Sequence, residues 1–137
     1  DTFVTALQPD EILTEIRIPA PPPRSGGAYL KFERKVGDYA IAAAAVFLAL
    51  DEAGRIAQAG IGLTNLAYKP LRAVDAERVL IGETPSEELF RHAAELAAQA
   101  TDPVSDLRGP ADYKRAVART MTIRALRRAL ERAQASA

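Results

Sequence analysis

The sequence predicts an α+β fold, with β-strands in the first half of the chain and helices in the second half. Residues within about 10–65 form short runs with the two-residue alternation of strands, separated by turn residues. Residues within about 69–133 instead place apolar side chains at helical spacing. Strands and helices do not alternate along the chain, which argues against a doubly wound parallel sheet. We expect residues 1–137 to form a single domain.

Four strands are predicted from the alternation. Residues 11–18 (EILTEIRI) alternate around Ile12, Ile16 and Ile18, and prolines at 19 and 21–23 end the run. Residues 28–34 alternate again. Residues 40–50 and 55–63 flank a turn with a late glycine, which is typical of a hairpin. Helix propensity opposes a strand at the alanines 42–45, but the run is short and ends in Val-Phe-Leu.

Three helices are predicted in the second half. Residues 69–81 begin with Pro70 and stop before Gly82. Residues 84–87 (TPSE) have the pattern of a capping box and open the second helix, with the loop 101–110 after it. The third runs from about residue 111 to 133. Its predicted apolar face comprises Tyr113, Ala116, Val117, Thr120, Ile123, Leu126 and Leu130.

Composition excludes several functions. With no cysteine, the chain can form neither a disulfide nor an iron–sulfur cluster of its own, and one histidine makes a zinc site improbable. Lys and Arg together number 18, and Asp and Glu together also number 18, so the net charge is zero. The chain as a whole therefore has no electrostatic attraction to nucleic acid or to an anionic membrane. The longest apolar run, residues 40–50, is about half of a membrane span. A chain that opens without Met and shows no signal peptide is expected to be a cytoplasmic fragment or processed product.

No self-sufficient catalytic or metal site is visible, and two weaker patterns have ordinary explanations. Residues 60–62 (GIG) are part of a dinucleotide fingerprint, but close packing of a strand explains them better. The last helix is basic and could touch phosphates, although a solvated face or a subunit contact is the simpler interpretation. Its cations are Lys114, Arg115, Arg119, Arg124, Arg127, Arg128 and Arg132.

One segment concentrates chemically useful side chains: Tyr29, Lys31, Arg34, Asp38 and Tyr39 lie on a predicted strand and its exit. Two cations, a carboxylate and two phenols could hold an anionic ring edge or a carbonyl-rich heterocycle. From the residues alone, an ordinary salt bridge between Arg34 and Asp38 remains the simpler alternative.

The order of several motifs resembles one family, the flavoprotein (medium) subunits of molybdenum hydroxylases of the carbon monoxide dehydrogenase type, in their C-terminal domain. Residues 27–46 (GAYLKFERKVGDYAIAAAAV) are similar to the stretch that opens that domain. Further similar stretches are residues 10–19 (DEILTEIRIP), 59–62 (AGIG), 70–73 (PLRA), 77–82 (ERVLIG), 105–109 (SDLRG) and 113–115 (YKR).

The resemblance implies a three-stranded antiparallel sheet packed against a C-terminal three-helix bundle. It also implies FAD, held by two upstream FAD-binding domains that this chain lacks, so the chain alone should bind FAD weakly or not at all and be inactive. The implied partners are those domains, an iron–sulfur subunit and a molybdopterin subunit. Electrons would pass from the clusters to FAD and on to an external acceptor.

By position, the resemblance implies that Lys31, Arg34 and Asp38, with Tyr29 behind them, border the flavin ring. Two other hypotheses remain open. The chain could be a free-standing protein-interaction module without redox activity, or, through its basic helix, a nucleic-acid binder.

Overall fold

The computed structural model describes residues 4–136. It has an α+β architecture, in which a four-stranded antiparallel sheet has the order β1-β2-β3-β4 and contacts helices α1 and α3. Strands come first along the chain, as predicted. The elements are β1 (Ser25–Phe32), β2 (Ala42–Leu50), β3 (Ile56–Thr64), β4 (Leu71–Arg72), α1 (Val74–Arg78), α2 (Glu87–Gln99) and α3 (Ala111–Ala135).

The central hairpin confirms the prediction of two strands around a glycine-containing turn. β2 includes the alanine run, and it pairs with β3 from Ala43 opposite Thr64 to Leu50 opposite Ile56, with a register shift near the turn. Pairing on both edges satisfies the backbone of β2, so tertiary structure overrides the helical preference of alanine. β1 covers residues 25–32 rather than 28–34, so Arg34 lies in the loop that follows.

Three strands were expected in the sheet, and the structure has four. The extra strand, β4, lies where the sequence predicted the start of a helix at residue 69. Arg72 pairs with Gly62 and Leu71 with Leu63, and Ala73 N–H donates to Ile61 O at 2.9 Å. Because pairing with β3 outweighs local helical spacing, α1 is only five residues long. It contacts α2, and α2 packs along α3.

The predicted strand over residues 11–18 is wrong. These residues have no strand pairing, turn or bend, and all of them are exposed. A strand needs a partner for its N–H and C=O groups, and the described part of the chain supplies none here.

Both predicted long helices are present, but the start of α2 and the buried face of α3 differ from the prediction. The N-cap of α2 is Ser86 and not the predicted Thr84, because the Ser86 side chain accepts a hydrogen bond from Leu89 N–H at 3.1 Å. α3 matches its predicted bounds closely, but only Val117 and Leu126 of the predicted face are buried. The buried face consists of Lys114, Val117, Ala118, Met121, Thr122, Ala125, Leu126, Ala129 and Ala133.

Small residues explain why this face of α3 is the buried one. Gly26 of β1 lies directly beneath the helix, where an added Cβ would lie 2.5 Å from Ala133 N and 2.7 Å from Arg132 Cβ and would overlap Ala129 O. Alanines on α3 let its backbone approach the sheet this closely.

Most of the basic side chains of α3 bond within the chain. Arg119 pairs with Glu95 and Arg127 with Glu87, each at 2.5 Å. Lys114, almost fully buried, pairs with Asp106 at 2.8 Å. Arg115 pairs with Asp112, and Arg132 donates to the carbonyl of Gly27. Most of the cations of α3 therefore form contacts within the chain. No helix within residues 4–136 is both long and apolar enough to cross a membrane.

Candidate functional site

The segment 29–39, called the ribbon below, runs from β1 into the loop before β2. Tyr29 and Lys31 alternate with Ala28 and Leu30, so they lie on the face of β1 turned away from α3. Opposite them in the register are Ala45 and Ala43. Because alanine side chains are short, Tyr29 and Lys31 project beyond the neighbouring surface of β2.

Asp38 joins several members of the ribbon. Its Oδ2 lies 3.3 Å from Arg34 Nε, which confirms the predicted salt bridge. Its Oδ1 accepts from Tyr39 N–H at 2.8 Å and lies 3.8 Å from a terminal nitrogen of Arg108. The Tyr39 N–H, and then Arg34, hold the pKa of the Asp38 carboxyl below its usual value. Asp38 is therefore an anion at neutral pH.

Lys31 points toward the same loop. Its Nζ lies 2.5 Å from Glu33 Oε2 and donates to the backbone carbonyl of Asp38 at 3.1 Å. The hydrogen bond with Glu33 raises the pKa of Lys31, so this side chain is a cation at neutral pH. A protonated ammonium, paired with the Glu33 carboxylate, thus lies at the exit of β1.

Tyr39 and Arg108 extend the site across the fold. Arg108, from the loop before α3, places its guanidinium 5.5 Å from the centroid of the Tyr39 ring. The Asn65 side chain, after β3, donates to the carbonyl of Ala40 and fixes the loop from the other side. These elements border a surface depression of about 310 Å³, lined by Tyr29, Lys31, Asp38, Tyr39, Ala40, Thr64 and Asn65.

The structure brings three of the four predicted site residues together at this depression, namely Tyr29, Lys31 and Asp38. Arg34 instead pairs with Asp38 from the exposed side of the loop. Sequence reasoning did not select Arg108 or Asn65 for the site. Arg108 lies in the stretch 105–109 (SDLRG), which contains no pattern that connects it with Asp38. In the structure its N–H donates to Asp106 Oδ1 at 2.8 Å.

Two features of β3, the glycines at 60–62 and the contact with Glu77, belong to the sheet and not to a second binding site. Residues 60–62 lie within β3 and do not open a helix, so the dinucleotide interpretation is wrong. The buried Glu77 accepts from Ile61 N–H at 2.8 Å and from Arg72 Nε at 2.8 Å, beside the short β4. Within residues 4–136, no three His, Cys, Asp or Glu side chains are grouped as metal ligands would be.

Comparison with known proteins gives the class of the protein. A family model described as the CO dehydrogenase flavoprotein C-terminal domain matches residues 27–129. The chain belongs to this family.

Two relatives and one solved structure sharpen the match. The carbon monoxide dehydrogenase medium chain of Afipia carboxidovorans is 49% identical over 135 residues, covering 98% of this chain and 45% of that protein. The 6-hydroxypseudooxynicotine dehydrogenase complex subunit alpha of Paenarthrobacter nicotinovorans is 39% identical, covering 96% of this chain and 45% of that protein.

The solved carbon monoxide dehydrogenase of Hydrogenophaga pseudoflava, in a form lacking the Mo-pyranopterin moiety, superposes with a TM-score of 0.89 at 42% identity. The superposition covers 95% of this chain and 45% of that one. The chain thus spans about half the length of the relatives it matches.

Proposed function

We propose that this chain is the C-terminal domain, residues 1–137, of the FAD-binding medium subunit of a molybdenum hydroxylase. The observation that carries the proposal is the 49% identity to a medium chain over 98% of this chain. In the intact subunit, FAD-binding domains would precede it, and it would form one wall of the flavin site. The subunit would be a component of an oxidoreductase complex.

The residues at the depression fit the ring of a flavin but not the whole cofactor. The edge of an isoalloxazine presents carbonyl and ring-nitrogen acceptors, and Lys31 and Tyr29 supply donors. A depression of about 310 Å³ has room for part of such a ring. No glycine-rich loop opens a helix in residues 4–136 to receive the pyrophosphate. The main anchors of FAD therefore belong to other parts of the subunit.

Lys31 would act on the flavin through its charge. FAD, when bound, supplies the redox chemistry, and the protein tunes it through charges and hydrogen bonds near the ring. A lysine kept protonated by Glu33 favours added electrons on a neighbouring ring. Asp38 would position this lysine through its backbone carbonyl, while Arg34 and Arg108 hold the Asp38 carboxylate.

The partners follow from the same proposal. An iron–sulfur subunit would deliver electrons to FAD, and a molybdopterin subunit would carry out substrate oxidation. We propose that α1 completes a three-helix bundle with α2 and α3, since α1 contacts α2 and α2 packs on α3. A cytoplasmic location fits a chain without cysteine.

The decisive experiment compares this 137-residue chain with the full polypeptide encoded by its gene. Each is mixed with excess FAD and desalted, and the visible spectrum is recorded. We expect stoichiometric flavin on the full polypeptide and almost none on the 137-residue chain. Stoichiometric flavin on the short chain would contradict the assignment of the main anchors elsewhere. A full polypeptide without flavin would refute the proposed function itself.

A further inference from the structure

The outer edge of β1 is only partly occupied. β1 is the first strand in the order of the sheet, so it pairs with β2 along one edge only. Arg24 and Phe32 direct their carbonyls toward the β2 side, where backbone N–H groups bond them. The carbonyls of Ser25 and Gly27 face outward and accept from side chains at the C-terminal end of α3. Since the backbone groups of an antiparallel strand alternate in this way, the odd-numbered residues of β1 face outward.

Tyr29 and Lys31 are the next odd-numbered residues, so their N–H and C=O groups face outward as well. Within residues 4–136, no donor or acceptor bonds to these four backbone groups. The edge is therefore open from Gly27, which Arg132 caps, to the end of the strand. Unpaired backbone groups on an edge strand are a template for a further extended segment.

A groove of about 580 Å³ lies between this open edge and the exposed side of α3. Leu30, Phe32 and Met121 supply its apolar lining, and Arg124 and Arg128 project into it from α3. Its volume is within the range of about 300–1,000 Å³ that is usual for binding clefts. A segment added along β1 would therefore place every second side chain in the groove.

The charge of the groove favours an acidic occupant. Arg124 and Arg128 are one helical turn apart, and neither has a carboxylate partner within residues 4–136, whereas Arg127 pairs with Glu87. Among the described residues that line the groove, Glu131 is the only carboxylate. Two unpaired guanidinium groups thus leave a net positive charge. Guanidinium groups bind carboxylates through paired, charge-assisted hydrogen bonds.

The strand edge favours a polypeptide over a nucleic acid in this groove. Alternating N–H and C=O groups match the backbone of another extended chain. Five of the seven cations of α3 already bond within the chain, so few remain for a row of phosphates.

We propose that an extended acidic segment of a partner subunit adds to β1 as a fifth strand of the sheet. Its backbone pairs with Tyr29 and Lys31, and an acidic side chain of the segment binds Arg124 and Arg128. An apolar side chain two residues away packs against Phe32. This inference rests on the proposed function, in which the chain is one component of an oxidoreductase complex.

Hydrogen–deuterium exchange at single-residue resolution tests the added strand, on the full polypeptide alone and in its assembled complex. The amides of Tyr29 and Lys31 should exchange rapidly in the free polypeptide and about 100-fold more slowly in the complex, because a paired strand opens only with its sheet. The amides of Ala28 and Leu30 are the internal control. They face β2 and should exchange slowly in both states.

A pair of charge reversals tests the acidic side chain. Arg124→Glu should weaken the affinity of the full polypeptide for its partner subunits by about tenfold or more, since it places a carboxylate where the partner's carboxylate binds. The helix should tolerate the change, because a glutamate four residues before Arg128 is a favourable pair. Lys69→Glu makes the same charge reversal at an exposed position outside the groove and should leave the affinity unchanged.

The outcomes separate this inference from the proposed function. Bound flavin in a complex whose Tyr29 and Lys31 amides stay fast would overturn the added strand and leave the proposed function standing. Slow exchange of these amides in a complex without flavin would do the reverse. Slow exchange already in the free polypeptide would show that the same chain occupies the edge and would overturn the partner segment. Equal weakening by Arg124→Glu and Lys69→Glu would overturn the acidic contact, and salt-sensitive binding of single-stranded DNA by the free polypeptide, lost in Arg124→Glu, would favour a nucleic acid instead.

Discussion

The two faces of the sheet use similar small residues for opposite purposes. On one face, Gly26 and Ala28 of β1 and the even-numbered alanines of β2 lie under α3, and all are buried. On the other face, Gly60 and Gly62 of β3 lie beside Ala45 and Phe47 in an open depression of about 410 Å³. The same face carries Tyr29 and Lys31.

The difference shows that small residues alone do not identify a packing surface. α3 approaches the first face closely at Gly26 because no side chain there holds its backbone away from the sheet. The second face carries long polar side chains at its margin, and the ribbon begins there. Substitutions on the two faces should therefore have different consequences.

The largest effect is expected where α3 meets the sheet. Gly26→Ala would push a methyl group into the backbone of α3, since the added Cβ lies 2.5 Å from Ala133 N. The helix backbone cannot rotate out of the way as a side chain can. The free energy of unfolding should therefore fall by about 3 kcal/mol, the upper end of the usual cost of overpacking a core. Urea denaturation of the 137-residue chain measures this loss.

Gly27→Ala is the matched control on the opposite face. Its nearest neighbour, Val46 O, would lie 3.6 Å from the new Cβ, which is an ordinary contact. Its unfolding free energy should stay within about 1 kcal/mol of the wild type, because glycine in a strand is itself slightly unfavourable. Equal losses for both variants would contradict the close approach of α3.

The next effect concerns the edge of the sheet at β4. Glu77→Ala should reduce the unfolding free energy by about 1–3 kcal/mol, because it leaves Ile61 N–H without its acceptor. Glu77→Gln keeps an amide oxygen for this N–H and loses only the charged partner of the exposed Arg72. It should therefore cost clearly less. If urea denaturation gave the same loss of unfolding free energy for both variants, the stabilisation would come from the charge of Glu77 and not from its hydrogen bond with Ile61 N–H.

A third prediction addresses the open face in the full polypeptide. Lys31→Met should lower the reduction potential of the bound flavin by on the order of 30 mV, a tenfold change in the equilibrium constant of a two-electron couple. The physical reason is the loss of a positive charge beside the ring. Redox titration followed by visible absorbance measures the shift.

Lys35→Met removes the same charge from the same loop and serves as its control. The Lys35 side chain has no charged partner among residues 4–136 and lies outside the lining of the depression. The potential should not change in this variant. Equal shifts for the two lysines would indicate a general charge effect and would contradict the specific role of Lys31.

The smallest effect is a pH dependence in the helical layer. The hydrogen bond from Arg119 holds the pKa of the Glu95 carboxyl below its ordinary 4.5. A lowered pKa contributes stability that is complete above the unfolded value and is lost as pH falls through the folded value. The stability difference between wild type and Glu95→Gln should therefore be present at pH 7 and should shrink as the pH falls below 4.5 and through the lowered pKa of Glu95.

Urea midpoints measured across this pH range check the prediction. Glu52→Gln, in the exposed β2–β3 turn, is the control, because Glu52 has no ion-pair partner in the described part of the chain. Its difference from wild type should be small at every pH. A Glu95→Gln difference that did not shrink as the pH fell below 4.5 would contradict a contribution from the ionised Glu95 carboxylate.

Much of the fold could be predicted because its patterns are local. The β2–β3 hairpin has a turn glycine between two apolar runs, and α3 keeps one helical period over 25 residues. The prediction failed where the outcome depends on distant partners. Leu71 and Arg72 form a strand because they pair with β3, and residues 11–18 pair with no strand in the described part of the chain.

The candidate site shows the same division. Tyr29, Lys31, Arg34 and Asp38 are close in sequence, so their grouping was visible as a cluster of unlike polar residues. Arg108 is 70 positions beyond Asp38, and no local pattern connects the two. Its place beside Tyr39 depends on how the loop before α3 folds back over the sheet.

The sequence by itself determined the α+β class, the central hairpin, the long final helix and the ribbon, because each depends on neighbouring residues and on the two periods of secondary structure. Only the tertiary structure decided which face of the sheet is covered, which face of α3 is buried and which distant side chains meet Asp38. The physical reason is that packing compares surfaces from distant parts of the chain. At Gly26 and Ala129 the absence of side-chain volume, which carries little local signal, sets the position of the helix.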